Sequence, residues 1–342
     1  MFGKMMNRYY YGKSGKGDFQ KEDLPQNRWQ LFWETLRVRF SSLVRLNLMY
    51  AVVWLPTIIV IARAIFMLYS GLAGLADMQA QVDAGTMAAD VLATNTSLFG
   101  EAVRAIVMQT LLLLVPCLAI TGPCTAGVCY VTRNWARDEH AFIWSDFRDA
   151  LKENWKPALA TSTITAFMPL ILYVCTMFYG DMAKSSMLYV VPQVLSVSIV
   201  LVWLCALMYI YPQMVTYRLN YRGLIKNSLF LTIARLPMTL GLKLLSLLPA
   251  LICAAVSLLT PYMQYAVMLL GLYYIVLGFS LSRFVAASYT NGVFDRYINN
   301  RIEGAEVNRG LYVEEDEEDG EENGEAQAHS SPSANEEAAP KA

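Results

Sequence analysis

The sequence predicts an all-α fold: a polytopic helical membrane bundle of about six transmembrane helices with both termini in the cytoplasm. Three observations carry this. The chain of 342 residues is 56% hydrophobic and only 16% charged, well short of the roughly 25% charge of soluble domains. Its apolar residues gather into six runs close to the roughly 20 residues a spanning helix needs. Its Lys and Arg residues fall in alternate loops, the pattern of a chain whose basic segments stay inside.

The six runs are Leu46–Tyr69, Arg104–Ile120, Ala158–Tyr179, Val190–Tyr211, Thr239–Leu259 and Tyr262–Leu281. The first 45 residues are polar and basic and lack an apolar run with a small-residue cleavage site, so the first span is expected to direct insertion. The external loop 70–103 has no Lys or Arg but holds Asp77, Asp83, Asp90 and Glu101, and it reads as small and polar with weak helical character. Asn95-Thr96-Ser97 in it fits a glycosylation acceptor; were the protein bacterial, that would be a chance match. Arg133, Arg137, Arg148, Lys152 and Lys156 follow the second span, and Arg218, Arg222, Lys226 and Arg235 follow the fourth. The last two spans are separated only by Thr260-Pro261, which predicts a tight helical hairpin. Arg283, Arg296, Arg301 and Arg309 follow the sixth. Six spans preserve the alternation; five would break it.

This divides the chain into a basic cytoplasmic segment (1–45), a membrane domain (46–284), a cytoplasmic segment (285–312) and an acidic tail (313–342). The tail holds 11 acidic residues from Glu314 onward against one lysine, leaving 26 Lys and Arg against 17 Asp and Glu in the rest. Such a tail is expected to be disordered, serving solubility or docking a basic partner. The bases elsewhere sit mostly in loops, so membrane topology rather than nucleic acid accounts for them.

Pro56, Pro116, Pro169, Pro212 and Pro249 fall within or near spans, where neighbouring helices satisfy the freed carbonyls. The spans contain no Asp, Glu or His, although ion- and proton-coupled carriers commonly place such groups at membrane depth. The six cysteines form no Cys-x-x-Cys pair and read as packing residues, and no His-Glu-x-x-His set exists, so no metal site is expected. Gly12-Lys13-Ser14 ends like a phosphate-binding loop, but Asn7 stands where its first glycine belongs. No cofactor and no catalytic residue is expected, and the chain reads as a non-enzyme.

Arg63 is the charge deepest within a predicted span, whereas Arg104 and Lys243 lie near span ends. Arg63 either binds an anionic ligand or snorkels to the outer headgroups. The densest polar region is the loop 121–157, expected to be helical. Thr121 is expected to cap a helix start there, with Pro123 in the first turn. Arg133 and Arg137 share one face of that helix, and Asn134 and Asp138 another. A second short helix is expected at Ser145–Trp155, where Phe147, Leu151 and Trp155 form one apolar stripe flanked by Arg148 and Lys152. It would lie in the headgroup plane or dock a partner. Arg133, Arg137, Asp138, Asp146, Phe147, Asn154 and Trp155 are the partner-contact candidates. A short similarity between Arg148–Pro157 and Lys226–Pro237, each entering a span, raises the hypothesis of a duplicated hairpin.

Met1-Phe-Gly, Thr121-Gly-Pro-Cys-Thr-Ala-Gly with Tyr130 and Arg137-Asp-Glu, and Asp146-Phe147 with Asn154-Trp155 resemble the YesL-like bacterial membrane family, domain of unknown function 624. The family's usual Gly-Pro-Ala-Thr has Cys124 in place of alanine here. The resemblance covers most of the chain up to Tyr297. It implies a protein of Gram-positive bacteria, encoded near ATP-driven carbohydrate importers, and hence an accessory role in sugar uptake with an importer or another membrane protein as partner. A permease-like transport subunit is the alternative. The importer-type Glu-Ala-Ala…Gly loop expected of a permease is absent before Pro237. The resemblance supplies no catalytic residues.

Overall fold

A computed structural model describes residues 25–311. The Gly12-Lys13-Ser14 segment, Met1-Phe-Gly and the acidic tail lie outside the described residues. Helices run as α1 (Arg28–Asp83), α2 (Ala89–Trp135), α3 (Ile143–Ala183), α4 (Val190–Thr216), α5 (Tyr221–Ala234), α6 (Leu236–Leu259), α7 (Met263–Tyr273) and α8 (Phe279–Tyr297). A π-helical segment, Tyr274–Gly278, joins α7 to α8 without a break. Six helices are long and apolar enough to cross a membrane, α7 and α8 counting as one. The short α5 is not among them. The chain is therefore a multi-pass membrane protein. Arg28 at the start of α1 binds Asp295 near the end of α8, so both ends of the bundle meet on one side. Arg133, Arg137, Arg218 and Arg222 share that side, called here the basic side.

Several helices exceed their predicted spans. α1 has 56 residues, about 84 Å at 1.5 Å per residue against a bilayer core of about 30 Å. The segment expected to be a weakly helical external loop instead continues α1 and begins α2. Its Ala, Leu, Met and Gln residues favour helix, and the reversal is confined to 84–88, where Gly85 takes a positive φ of 70°. The expected cap at Thr121 is also absent. α2 passes through Thr121-Gly122-Pro123 unbroken, and the Thr121 hydroxyl donates to the Leu118 carbonyl. Likewise Ser145–Trp155 is no separate helix but the first turns of α3, which includes Pro157. Pro157 is tolerated because α3 already packs closely on α2 there. Lys226–Pro237, by contrast, is interrupted at Arg235 between α5 and α6.

Threonines recur along these helices with hydroxyls bonded to carbonyls one turn back: Thr125 to Thr121, Thr132 to Val128, Thr161 to Pro157 and Thr216 to Pro212. Bonding backward lets a hydroxyl sit in an apolar interior without an unmet donor.

Packing is densest in the basic half. One core joins Leu43, Leu46 and Tyr50 of α1 to Val128, Val131 and Trp135 of α2, Phe147 of α3 and Phe284 of α8. A second joins Ala126 and Cys129 of α2 to Ala158 of α3, Trp203, Ile210 and Tyr211 of α4, and Leu224 of α5. The α2–α3 hairpin is the most extensively packed pair. Towards the opposite side α6 and α7 diverge from the bundle as the predicted hairpin, turning at Thr260–Tyr262, and leave Leu251, Leu258, Met268 and Leu269 exposed. Exposed apolar faces on a spanning helix are lipid-facing surface, which needs no protein cover.

A polar knot holds the basic side. Asp295 accepts from Arg28, from the Asn299 amide, and from the Asn308 backbone N–H at 3.1 Å. Its side chain is only 8% exposed. Asp295→Ala is expected to destabilise the protein by about 3 kcal/mol, the low end for breaking a buried ion pair, because Arg28 keeps some contact with water. Thermal unfolding of the detergent-solubilised variant checks this; an unchanged midpoint would show that the knot is dispensable.

Candidate functional site

The partner-contact residues named from the sequence fall into two groups. Glu139, just past α2, receives Arg133 at 3.8 Å, Arg137 at 3.6 Å and Arg309 at 3.1 Å. Arg133 also donates to the Val215 carbonyl at 3.1 Å and to Asn134 Oδ1 at 3.0 Å, and it lies 5.1 Å from the Tyr130 ring centroid. Asp138 makes the turn between α2 and α3 with φ 56°. Asp146 caps the start of α3, accepting the Phe142 N–H at 2.9 Å and the Ser145 hydroxyl at 3.2 Å. Phe147 points inward and is buried. A Cβ on Gly127 would lie 2.6 Å from its ring. These five residues, Arg133, Arg137, Asp138, Asp146 and Phe147, are thus occupied in joining helices.

Asn154 and Trp155 are placed differently. Asn154 lines a cleft of about 270 Å³ with Glu153, Thr216, Tyr217, Arg218 and Tyr221. Trp155 is exposed, with the Lys156 ammonium 5.6 Å from its ring centroid. Tyr217 closes one wall, its hydroxyl donating to Asn299 Oδ1 at 2.7 Å. Burial pushes this phenol up to about 12, so it stays protonated and keeps donating at physiological pH. Beside the cleft, α5 exposes Arg222, Lys226, Phe230 and Ile233 on one face, at spacings of four, four and three. The Asn220 side chain caps α5 by accepting the Gly223 N–H at 2.8 Å, and Leu224, Ser228 and Leu231 are buried on its inner face.

A second cluster lies inside the bundle. Tyr50 of α1 shares a 2.5 Å hydrogen bond with the Thr125 hydroxyl of α2. The guanidinium carbon of Arg283 of α8 is 5.6 Å from the Tyr211 ring centroid. Lys243 of α6 is half-buried. Trp54 stacks on Phe279, with centroids 4.7 Å apart, and meets Tyr50 edge-on at 6.1 Å. Neither Arg283 nor Lys243 pairs with a carboxylate among the described residues. Arg283 lies within the predicted membrane domain (46–284), two residues past its sixth apolar run.

Arg63 also has a neighbour, donating to Gln109 Oε1 of α2 at 3.1 Å. All six cysteines are free, and no group of three or more His, Cys, Asp or Glu that could hold a metal occurs among the described residues.

No curated protein and no solved structure gives a significant match to the chain. Residues 98–175, most of the α2–α3 hairpin with Gly122, Gly127, Phe147, Asn154 and Trp155, match the model of the family described as "Protein of unknown function, DUF624", the family whose motifs this sequence resembles.

Proposed function

We propose that the chain is a non-enzymatic membrane accessory protein that docks another membrane protein on its basic side, and that this side faces the cytoplasm of the cell membrane. The observation that carries the reading is the outer face of α5. Phe230 is 73% and Ile233 67% exposed, and Arg222 and Lys226 continue the same stripe beside the cleft lined by Asn154. A basic and apolar helix face suits an acidic, amphipathic helix of a partner, where apolar anchors supply affinity and charge sets orientation. An importer subunit or another membrane protein is the partner class. The service to carbohydrate uptake follows from the family resemblance. The orientation follows from the loop charges.

The experiment is purification from native membranes in mild detergent. The wild-type chain is expected to bring down a recurrent membrane partner, and Lys226→Glu with Phe230→Glu to lower its recovery roughly tenfold or more, with the level of the chain in the membrane unchanged. Repeated recovery of no partner, or equal recovery with the variant, overturns the reading.

A transport subunit is the second reading, favoured by one observation: Arg283 and Lys243 are half-buried on spanning helices with no carboxylate partner among the described residues. Solute uptake by the purified protein in liposomes, alone or with an added ATPase, would decide for it.

A further inference from the structure

We infer that the α6–α7 hairpin holds one acyl chain of a bilayer phospholipid in the groove between its two helices. The groove is separate from the partner-docking face on α5.

Shape is the first argument. Packed helices lie about 8–10 Å apart with their side chains interleaved. α6 and α7 instead turn a face towards each other across a gap of about 470 Å³. Leu248, Ile252 and Val256 line it from α6 at intervals of four, and Ala266, Leu269 and Tyr273 line it from α7 at three and four. Spread over the roughly 16 Å from Tyr262 to Tyr273, at 1.5 Å per residue, that volume leaves a trough about 5 Å wide. A helix with its side chains is about 10 Å across, so a helix of a partner or of a second copy does not fit. A stable pair of copies would also bury at least about 1,200 Å², far more than so narrow a trough offers. A hydrocarbon chain fits, because its carbons reach contact at about 4 Å. At about 30 Å³ for each group the size of a water molecule, the volume takes roughly fifteen such groups, close to one lipid tail.

Chemistry is the second argument. Apart from the tyrosines and the Cys253 thiol the lining is aliphatic, so water would lack the two to four polar partners it needs there. Left empty, the groove would forfeit dispersion contacts along both helices. Both helices belong to spans, so lipid tails are the surrounding solvent and enter the groove from the side. Its mouth carries a polar rim. At the turn of the hairpin Tyr262 and Tyr265 are 60% and 54% exposed, with ring centroids 6.4 Å apart. Neither hydroxyl is hydrogen-bonded among the described residues. Tyrosines gather at the headgroup boundary of a bilayer, which places the mouth beside phospholipid ester and phosphate oxygens and the floor in hydrocarbon. Phenols donate to such oxygens, and this commits the groove to a phospholipid rather than to a hydrocarbon without a headgroup.

Native mass spectrometry of the full chain tests this. The protein would be delipidated in mild detergent and titrated with palmitoyl-oleoyl phosphatidylcholine, a lipid without net charge, so that the basic side adds no attraction. The wild type is expected to bind one lipid per chain well before any further additions. Ala266→Phe puts a ring into the trough and is expected to weaken that first binding roughly tenfold or more. The delipidated variant should melt no lower than the wild type, because its ring occupies the gap. Leu251→Phe, on a face of α6 outside the groove, is expected to leave the binding unchanged. Should Ala266→Phe fail to fold, Val256→Phe carries the test from the opposite wall. The site is overturned by a first lipid that cannot be told from later ones, by one that the folded groove variant binds as the wild type does, or by a lipid-free dimer in which a second copy takes its place.

Discussion

Gly122→Leu is expected to remove most of the folded protein. Gly122 lies where α2 crosses α3, and the helices approach so closely that a Cβ there would be driven into the Ala158 carbonyl and the Ser162 side chain, 2.7 Å from Ser162 Cβ. The carbonyl belongs to the backbone of α3 and cannot rotate away. Ser162 also bridges the crossing, its hydroxyl donating to the Ala119 carbonyl at 2.6 Å, so the intruding side chain separates the helices and breaks this bond. Overpacking together with the lost hydrogen bond is expected to cost about 4 kcal/mol, a large part of the 5–15 kcal/mol that holds a typical domain together. Size-exclusion profiles and thermal midpoints of the solubilised variant would show it. Gly74→Ala is the control: nothing lies within 4 Å of its added Cβ, and alanine in an open helix position is expected to be neutral or slightly stabilising, by up to about 1 kcal/mol. If both variants melt with the wild type, the crossing has more room than these contacts allow.

This crossing also shows why some of the molecule was legible in its sequence and some was not. Six apolar runs and alternating loop charges are local signals, so the spans and the α6–α7 hairpin could be read directly. Thr121-Gly-Pro-Cys-Thr-Ala-Gly stood out as a motif, yet it looked like the start of a cytoplasmic helix. Helix capping is judged from neighbours in sequence, whereas Gly122 and Gly127 answer to residues of another helix, Ser162 and Phe147. Arg137, Asp146 and Phe147 had the composition of a contact surface because the residues that tie helices together on the polar side of a membrane are the same types that bind partners. Only the third dimension separates Asp146, occupied at a helix start, from Asn154 in an open cleft. A single charge after twenty apolar residues reads as the end of a span, and nothing local reveals that Arg283 meets the Tyr211 ring.

Asn47 clamps α1 to the start of α8, and Asn47→Leu is expected to show it. Asn47 is fully buried. Its amide donates to the carbonyls of Tyr274 at 2.9 Å and Ile275 at 2.6 Å, and its oxygen accepts the Ser280 N–H at 2.7 Å. The carbonyls belong to the π-helical segment before α8, where the widened turn disturbs the regular backbone pairing. These bonds tie α1 to the first turn of α8, so this clamp sets the register of the two helices. Leucine keeps the same branched skeleton of side-chain heavy atoms but leaves three buried backbone groups without their partner. Each unmet group costs about 1–3 kcal/mol. Relaxation of the π segment towards α-helix would recover part of this, leaving a net loss of about 3 kcal/mol. Asn47→Leu is therefore expected to lower the thermal midpoint of the solubilised protein. Asn47→Asp, which keeps an acceptor for Ser280 but loses both donors, should fall between them in stability. An Asn47→Leu protein that melts with the wild type would show that α8 holds its register without the clamp.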